Sequence, residues 1–256
     1  MPPPAIPTGG TAVAAILSLK GVNKSFGALK VADDVTFDLP EGQALGVIGP
    51  NGAGKSTLFN LIGGALSPSS GAVAFRGEDI TRKTAAERCR MGISRSFQIP
   101  HPFVGMSVFE NLLVASLFGD AGHHDAVGEC RRILRRTGLL AKANFPAGRL
   151  TLLERKRLEL ARALASGPKL LLLDEIAGGL TEGECHELVG TIRSIRDAGV
   201  SIIWIEHIVH ALTAVVERLM VIDFGRIVAD GEPGSVMADP LVQEIYMGIS
   251  VDDEAA

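Results

Sequence analysis

From residue 17 to 37 short apolar runs alternate with polar and turn residues, LSLKGVNKSFG and then ALKVADDVTFDL, a rhythm that predicts antiparallel strands. Residues 44–48 replace it with a continuous apolar run, and GPNGAGKST (49–57) leads from there into a helix-like stretch at 58–62. SPSSG (67–71) is a turn cluster, and AVAFRG reads as a strand stopped by glycine. A short polar helix is expected at 82–90. GISRSFQIPHPF then loses all periodicity, and Pro100 holds the residue before it extended, so a flexible joint is expected around Gln98. Between 107 and 166 apolar residues recur at helical spacing in SVFENLLVASLF, GECRRILRRTGLL and LTLLERKRLELARALAS, which predicts a helical insert in an α/β protein. The four consecutive leucines of KLLLLDE, after Pro168, read as a strand buried on both faces of a parallel sheet. A helix at 182–198 closed by Gly199, a second buried strand in VSIIWIEH, two short strands around FGR at 218–229 and a small terminal helix complete the pattern.

The glycine-rich stretch carries the most specific chemistry. Its spacing, G-x-x-x-x-G-K-[ST], is that of a phosphate-binding loop, in which glycines let successive backbone N–H groups turn inward around a pyrophosphate. The plainer alternative is a tight connection, but strand, full spacing and helix follow in the order that phosphate binding requires. Gly49, Asn51, Gly52, Gly54, Lys55, Ser56 and Thr57 are the expected contacts, with Lys55 bridging the β- and γ-phosphates and the Ser56 hydroxyl ligating Mg2+. The helix opening at the loop adds its dipole and unpaired N–H groups. Asp174 and Glu175 close the leucine strand at the edge where open α/β sheets bind ligands. Asp174 is the expected Mg2+ partner and Glu175 the candidate base for an attacking water, with simple capping of the next turn as the alternative. His207 ends the next buried strand on the same edge and is expected to reach the γ-phosphate. Phe26, upstream and before a glycine, either stacks on an adenine face or fills core.

Composition narrows the class. The 256 residues are 46% hydrophobic and 21% charged, ample for a buried core, yet no apolar run approaches the ~20 residues that span a bilayer. A net charge of −4 argues against a general nucleic-acid binder. Cys89, Cys130 and Cys185 are odd in number and far apart, so a reducing cytoplasm is expected and neither a disulfide framework nor a metal cluster. The opening MPPPAIPTGG reads as a flexible leader at 1–14 and not as a signal peptide. Arg131, Arg132, Arg135 and Arg136 read as a solvated helix face, with an anionic partner as the alternative. His123 and His124 before Asp125 read as loop, since no ligand cluster supports a metal there.

Five landmarks stand in one order: GPNGAGKST, Gln98, LTLLERKRLELARA, LLLLDE and His207. From about residue 17 to 248 the chain resembles the ATP-binding subunits of ABC transporters, and GISRSFQIPHPF, MSVFENLLVAS, the IEH before Ile208 and LVQEIYMG resemble the ATPases of branched-chain amino acid importers. The resemblance implies an α/β fold: a P-loop NTPase (RecA-like) core at 15–97 and 167–250 with an antiparallel β portion, a helical signature subdomain at 98–166, and an acidic tail at 251–256. It implies ATP and Mg2+ as cofactors, Gln98 touching Mg2+ and the attacking water, Glu175 as general base, His207 as switch histidine, and Phe26 stacking on adenine. It further implies two membrane permeases docking on the helical insert at the cytoplasmic face of the inner membrane. Beside them it implies a second ATPase, paralogous or identical, and an extracytoplasmic solute-binding protein acting indirectly. Thr151 would reach the partner's ATP, although the glycines expected at its signature are Leu152 and Leu153. Ile176 and Thr181 also replace the usual proline and the usual Asp or Asn. Urea, amide or lipid-linked transport is the nearest rival. A soluble ABC ATPase would bring a coiled-coil insert or two phosphate loops, and a P-loop kinase or GTPase has no need of Gln98, the signature and His207.

Overall fold

Alternation at the start of the chain gives two long strands, β1 (Ala15–Phe26) and β2 (Leu29–Pro40), paired antiparallel across Gly27 at φ +58°. The computed structural model describes residues 15–119 and 125–247. The leader at 1–14, His123 and His124, and the acidic tail lie outside the described residues. β3 (Ala44–Ile48) is the apolar run before the glycine-rich loop, and α1 (Lys55–Gly63) is the helix that the loop opens. β4 (Ser70–Phe75), β5 (Glu78–Asp79), α2 (Ala85–Arg90) and β6 (Ile93–Arg95) follow. The helical stretch comprises α3 (Val108–Phe118), α4 (Ala126–Arg136) and α5 (Leu152–Ala165). Then come β7 (Leu170–Asp174), α6 (Glu182–Asp197), β8 (Ser201–Ile205) and α7 (Val209–Thr213). The hairpin of β9 (Arg218–Asp223) and β10 (Arg226–Gly231) precedes α8 (Pro233–Met237) and α9 (Pro240–Met247).

The strands form an antiparallel sheet in the order β2-β1-β4-β5 and a six-stranded sheet in the order β10-β9-β3-β8-β7-β6, parallel except for β10. Every residue of β3, β7 and β8 is buried. Their side chains alternate between two cores: Ile48, Leu171, Leu173, Ile202 and Trp204 pack with α3 to α6, whereas Leu45, Val47, Leu172, Ile203 and Ile205 pack with α1 and the antiparallel sheet. Both faces are covered, so the period of two is hidden inside runs that are apolar throughout. Each such leucine contributes about 1.5–3 kcal/mol, an upper bound because unfolded chains already bury some surface. A charge at Leu172 would therefore break the layer. The parallel strands also bring the loops after β3, β7 and β8 to one edge.

Three local expectations change. The stretch at 140–149 forms two 3-10 turns, Leu140–Lys142 and Ala147–Arg149, because Gly138 at φ +73° ends α4 and Pro146 precedes the second turn. The polar helix starts at Ala85, where Thr84 and Glu87 form a capping box. The closing stretch holds two helices instead of one, because Glu232 caps α8 with Pro233 in its first turn and α9 starts afresh at Pro240. Among the described residues, no helix is long and apolar enough to cross a membrane.

The far end of α1 is held by a buried cation. Arg88 of α2 is 1% exposed, and its NH1 donates to the carbonyls of Leu61 at 2.6 Å and Ile62 at 2.8 Å. Nε and NH2 donate to Lys83 O at 3.1 Å and Thr81 O at 3.3 Å. α1 has no basic residue in its own last turn, so Arg88 supplies the positive charge its carbonyl end lacks. Burial pulls the Arg88 pKa down, against the opposing charge of Asp79. Arg88→Met leaves these carbonyls unpaired and is expected to lower stability by about 3 kcal/mol, since hydrogen bonds to a charged group contribute about 1.5–3 kcal/mol. Urea unfolding measures it: a lower midpoint at unchanged slope is expected, and a loss under about 1 kcal/mol would mean that water replaces the guanidinium.

Candidate functional site

The loop between β3 and α1 is shaped by glycines, two of which leave no room for a Cβ. Gly49, Gly52 and Gly54 have φ of +154°, +83° and +104°. A Cβ at Gly49 would meet Ile222 O at 2.1 Å, and one at Gly54 would meet Val31 O at 2.4 Å. Gly54 is the N-cap of α1, no side chain caps that helix, and its first turn holds no acid. The positive helix end is thus left to a ligand. Lys55 is buried, and its Nζ donates to the carbonyls of Gly49 at 2.6 Å and Pro50 at 2.9 Å. Burial lowers its pKa, while the charges of Glu175 and Asp174 oppose that shift. Asn51, Gly52 and Ser56 are exposed and Thr57 is half-buried.

Three of the expected catalytic residues meet at one carboxylate. Glu175 follows β7 with φ +45°, a left-handed backbone that costs a non-glycine residue on the order of 1 kcal/mol. Its N–H still donates to Ile205 O at 2.9 Å, so the turn starts from the sheet itself. Oε1 of Glu175 lies 2.9 Å from His207 Nε2, and Oε2 accepts from Gln98 Nε2. Asp174 is 6% exposed, with Oδ2 held by Arg95 NH2 at 2.6 Å.

Phe26 and Thr151 stand outside this group. Phe26 is half exposed at the end of β1 with Lys24 Nζ 5.3 Å from its ring centroid, so it is not core. The Thr151 hydroxyl accepts from Glu154 N–H at 3.4 Å, and Glu154 Oε2 accepts from Thr151 N–H at 3.0 Å. That is a complete capping box, and Leu152 and Leu153 are already the first residues of α5. Thr181 and Glu184 form the same box at α6, and Ile176 is buried in the core.

Several residues to which the sequence reading gives no role also shape the site. Glu206 is 1% exposed and accepts from Ala177 N–H at 2.9 Å and His207 N–H at 3.0 Å, which ties the turn after β7 to the one after β8. Lys156 of α5 is buried with Nζ 3.5 Å from Glu175 O; burial lowers its pKa against the charges of Glu206 and Glu175. Arg95 bridges Asp174 and Asn60. The acid inside IEH, at the end of an apolar run, is a signal for Glu206; Lys156 and Arg95 lie in polar stretches that give none.

The donor set fits a nucleotide and Mg2+. The loop is pressed by Gly49 and Gly54 against the carbonyls of Ile222 and Val31, opens a helix whose first N–H groups no side chain caps, and lies beside a buried ammonium. The oxygen donors nearby are a hydroxyl, an amide and a carboxylate, and no cluster of three or more His, Cys, Asp or Glu able to hold a metal occurs among the described residues. Mg2+ characteristically takes one or two carboxylates and completes its shell with phosphates and water.

The ABC transporter family matches residues 32–178. The probable branched-chain amino acid transport ATP-binding protein LivG of Methanocaldococcus jannaschii is 34% identical over 250 residues, covering 91% of this chain and 97% of that protein. High-affinity branched-chain amino acid transport ATP-binding protein LivG of Salmonella typhimurium is 33% identical over 249 residues, covering 91% and 98%. The crystal structure of the ADP conformation of MJ1267, an ATP-binding cassette of an ABC transporter, superimposes with a TM-score of 0.84 at 33% identity, covering 92% of this chain and 99% of that one. The P-loop NTPase fold follows, with adenine nucleotide as its ligand. The family match spans more than half of the chain and the relatives align along nearly their whole length, so the chain belongs to the ABC transporter family, as an ATP-binding subunit that hydrolyses ATP.

Proposed function

We propose that this subunit energises the import of branched-chain or related amino acids, acting at the cytoplasmic face of the membrane beneath two permeases. The observation that carries the hydrolytic part is the meeting of Gln98 and His207 on the two oxygens of Glu175. The substrate class rests on the names of the relatives at about one-third identity along nearly all of their length. Lys55 and the N–H groups of the loop hold the phosphates, Ser56, Asp174 and Gln98 hold Mg2+, and Mg2+ when bound offsets charge on the transferred phosphoryl group. Glu175 takes the proton of the attacking water, with His207 and Gln98 fixing the direction of its carboxylate. Phe26 stacks on adenine. Residues 15–97 and 167–250 act as the nucleotide-binding core and 98–166 as the signature subdomain.

Permease docking falls to a groove of about 380 Å³ between core and helices, lined by Asn60, Arg95, Phe97, Phe118 and Glu159 among others. Phe97, Phe103, Val104, Leu117 and Phe118 are exposed apolar residues of the segments around it.

The signature motivates a second, paralogous ATPase. Glycine would let backbone N–H groups approach the partner's γ-phosphate, but Leu152 and Leu153 are helical and carry side chains, and Leu152 lies near Gly179. A partner with a glycine-bearing signature would leave one competent site, built on this chain's own phosphate loop.

Glu175→Gln is expected to bind ATP normally and to slow turnover about a hundredfold or more in the assembled transporter, the scale of losing a positioned base. Near wild-type turnover would place the base elsewhere. Proteoliposomes holding the permeases and both ATPases test the transport reading: ATP-dependent accumulation of labelled leucine or valine on the cytoplasmic side is expected, and uptake of other solutes alone would overturn the substrate class. In the same vesicles Lys55→Ala should remove nearly all hydrolysis and the matching lysine change in the partner much less. Equal losses would rule out the asymmetry.

A further inference from the structure

Arg95 ends β6, beside β7 in the parallel sheet, and its side chain reaches both the carboxyl end of β7 and the helix α1. NH2 donates to Asp174 Oδ2 at 2.6 Å and NH1 to Asn60 Oδ1 at 2.6 Å. The guanidinium carbon lies 5.4 Å from the ring centroid of Phe59 and 5.3 Å from that of Phe97, so the planar fork is held on two aromatic rings. Asn60 and Ser56 are four residues apart on α1, one turn along the same face. One guanidinium therefore pins the Asp174 carboxylate to the helix one turn beyond the Ser56 hydroxyl.

We propose that Arg95 is a positioning residue that sets the spacing between Ser56 and Asp174 and so determines how strongly Mg2+ adds to nucleotide binding. This rests on reading those two residues as the protein ligands of the metal. Two effects of the guanidinium oppose each other. Its charge beside Asp174 repels a second cation, which alone would make removal of Arg95 favour Mg2+. Its fork restrains the carboxylate, and Mg2+ demands near-ideal octahedral geometry with short bonds, so a freed carboxylate is a poorer ligand. A partly buried side chain held against two rings and bridging two elements points to the second effect as the larger. Lysine carries the charge without the planar fork, so it cannot bridge Asp174 and Asn60 in the same way.

The test is equilibrium binding of a fluorescent ATP analogue to the full chain, in excess EDTA and in Mg2+, for wild type, Arg95→Met, Arg95→Lys and Asn60→Ala. The ratio of the two affinities is the Mg2+ advantage. It is expected to fall about tenfold in Arg95→Met, to stay clearly reduced in Arg95→Lys, and to fall less in Asn60→Ala, with affinity in EDTA close to wild type throughout. Thermal melts without ligand check folding, and Asn60→Ala carries the comparison if the arginine variants do not fold. An unchanged ratio in the folded variants, a raised ratio in Arg95→Met, or full recovery with Arg95→Lys would overturn the proposal. A wild type without any Mg2+ advantage would instead sink the reading of Ser56 and Asp174 as metal ligands.

Discussion

Gly49 and Gly54 pass so close to two carbonyl oxygens, of Ile222 in β9 and Val31 in β2, that neither position tolerates a side chain. This close approach fixes the phosphate loop against both sheets at once. Gly225, in the turn between β9 and β10, donates its N–H to Ala53 O at 2.8 Å, and its own carbonyl accepts from Asp33 N–H of β2 at 2.8 Å. The loop is thus stitched to the hairpin on one side, and the hairpin to the antiparallel sheet on the other. A loop that must present several N–H groups to one anion has to be rigid before the anion arrives. Here the rigidity comes from neighbours that lie far away in the sequence.

Charge is arranged around that loop on the same principle. α1 has a positive end at Gly54 that no side chain caps and a carbonyl end held by Arg88, so the two ends of one helix meet the phosphate loop and a buried guanidinium. On the adjoining strands the buried acids do not stand alone: Asp174 meets Arg95, and Glu206 accepts two backbone N–H groups. A buried carboxylate without partners is costly, and hydrogen bonds of this kind offset the loss of its hydration. Glu175 differs in having two polar side chains at its oxygens and a strained backbone, as befits a group that must turn toward a ligand.

What is legible in the sequence is what is local. The capping box of Thr151 and Glu154, the glycine spacing of 49–57 and the apolar runs of β3, β7 and β8 each arise within a few residues, and the structure contains all of them. Arg95 is different. Its partners Asn60 and Asp174 are 35 and 79 residues away, and the stretch that carries it has no periodicity. Lys156 sits in the charged run ERKR, yet it is buried because the end of β7 comes to rest beside it. The leucine strand hides its period for a related reason, since two cores accept the same residue type.

The joint around Gln98 is where these constraints act on one another. Glu159 of α5 is buried, accepts from the backbone N–H of Phe97, and pairs with Arg162 at 3.0 Å; burial raises its pKa against the charge of Arg162. Arg162 in turn donates to His101 O at 2.9 Å, and Asn111 of α3 takes Phe103 N–H at 2.8 Å and returns a bond to Phe103 O at 3.1 Å. The helices therefore grip the joint on both sides of Gln98, whose own side chain reaches across to Glu175. One turn earlier on α5, Lys156 meets the backbone of that same Glu175. A rotation of α5 against β7 cannot leave all of these contacts intact. The Gln98–Glu175 bond is exposed and single, whereas the grips of Glu159 and Asn111 come from buried side chains. A movement of the helices would therefore bear on the carboxylate of Glu175.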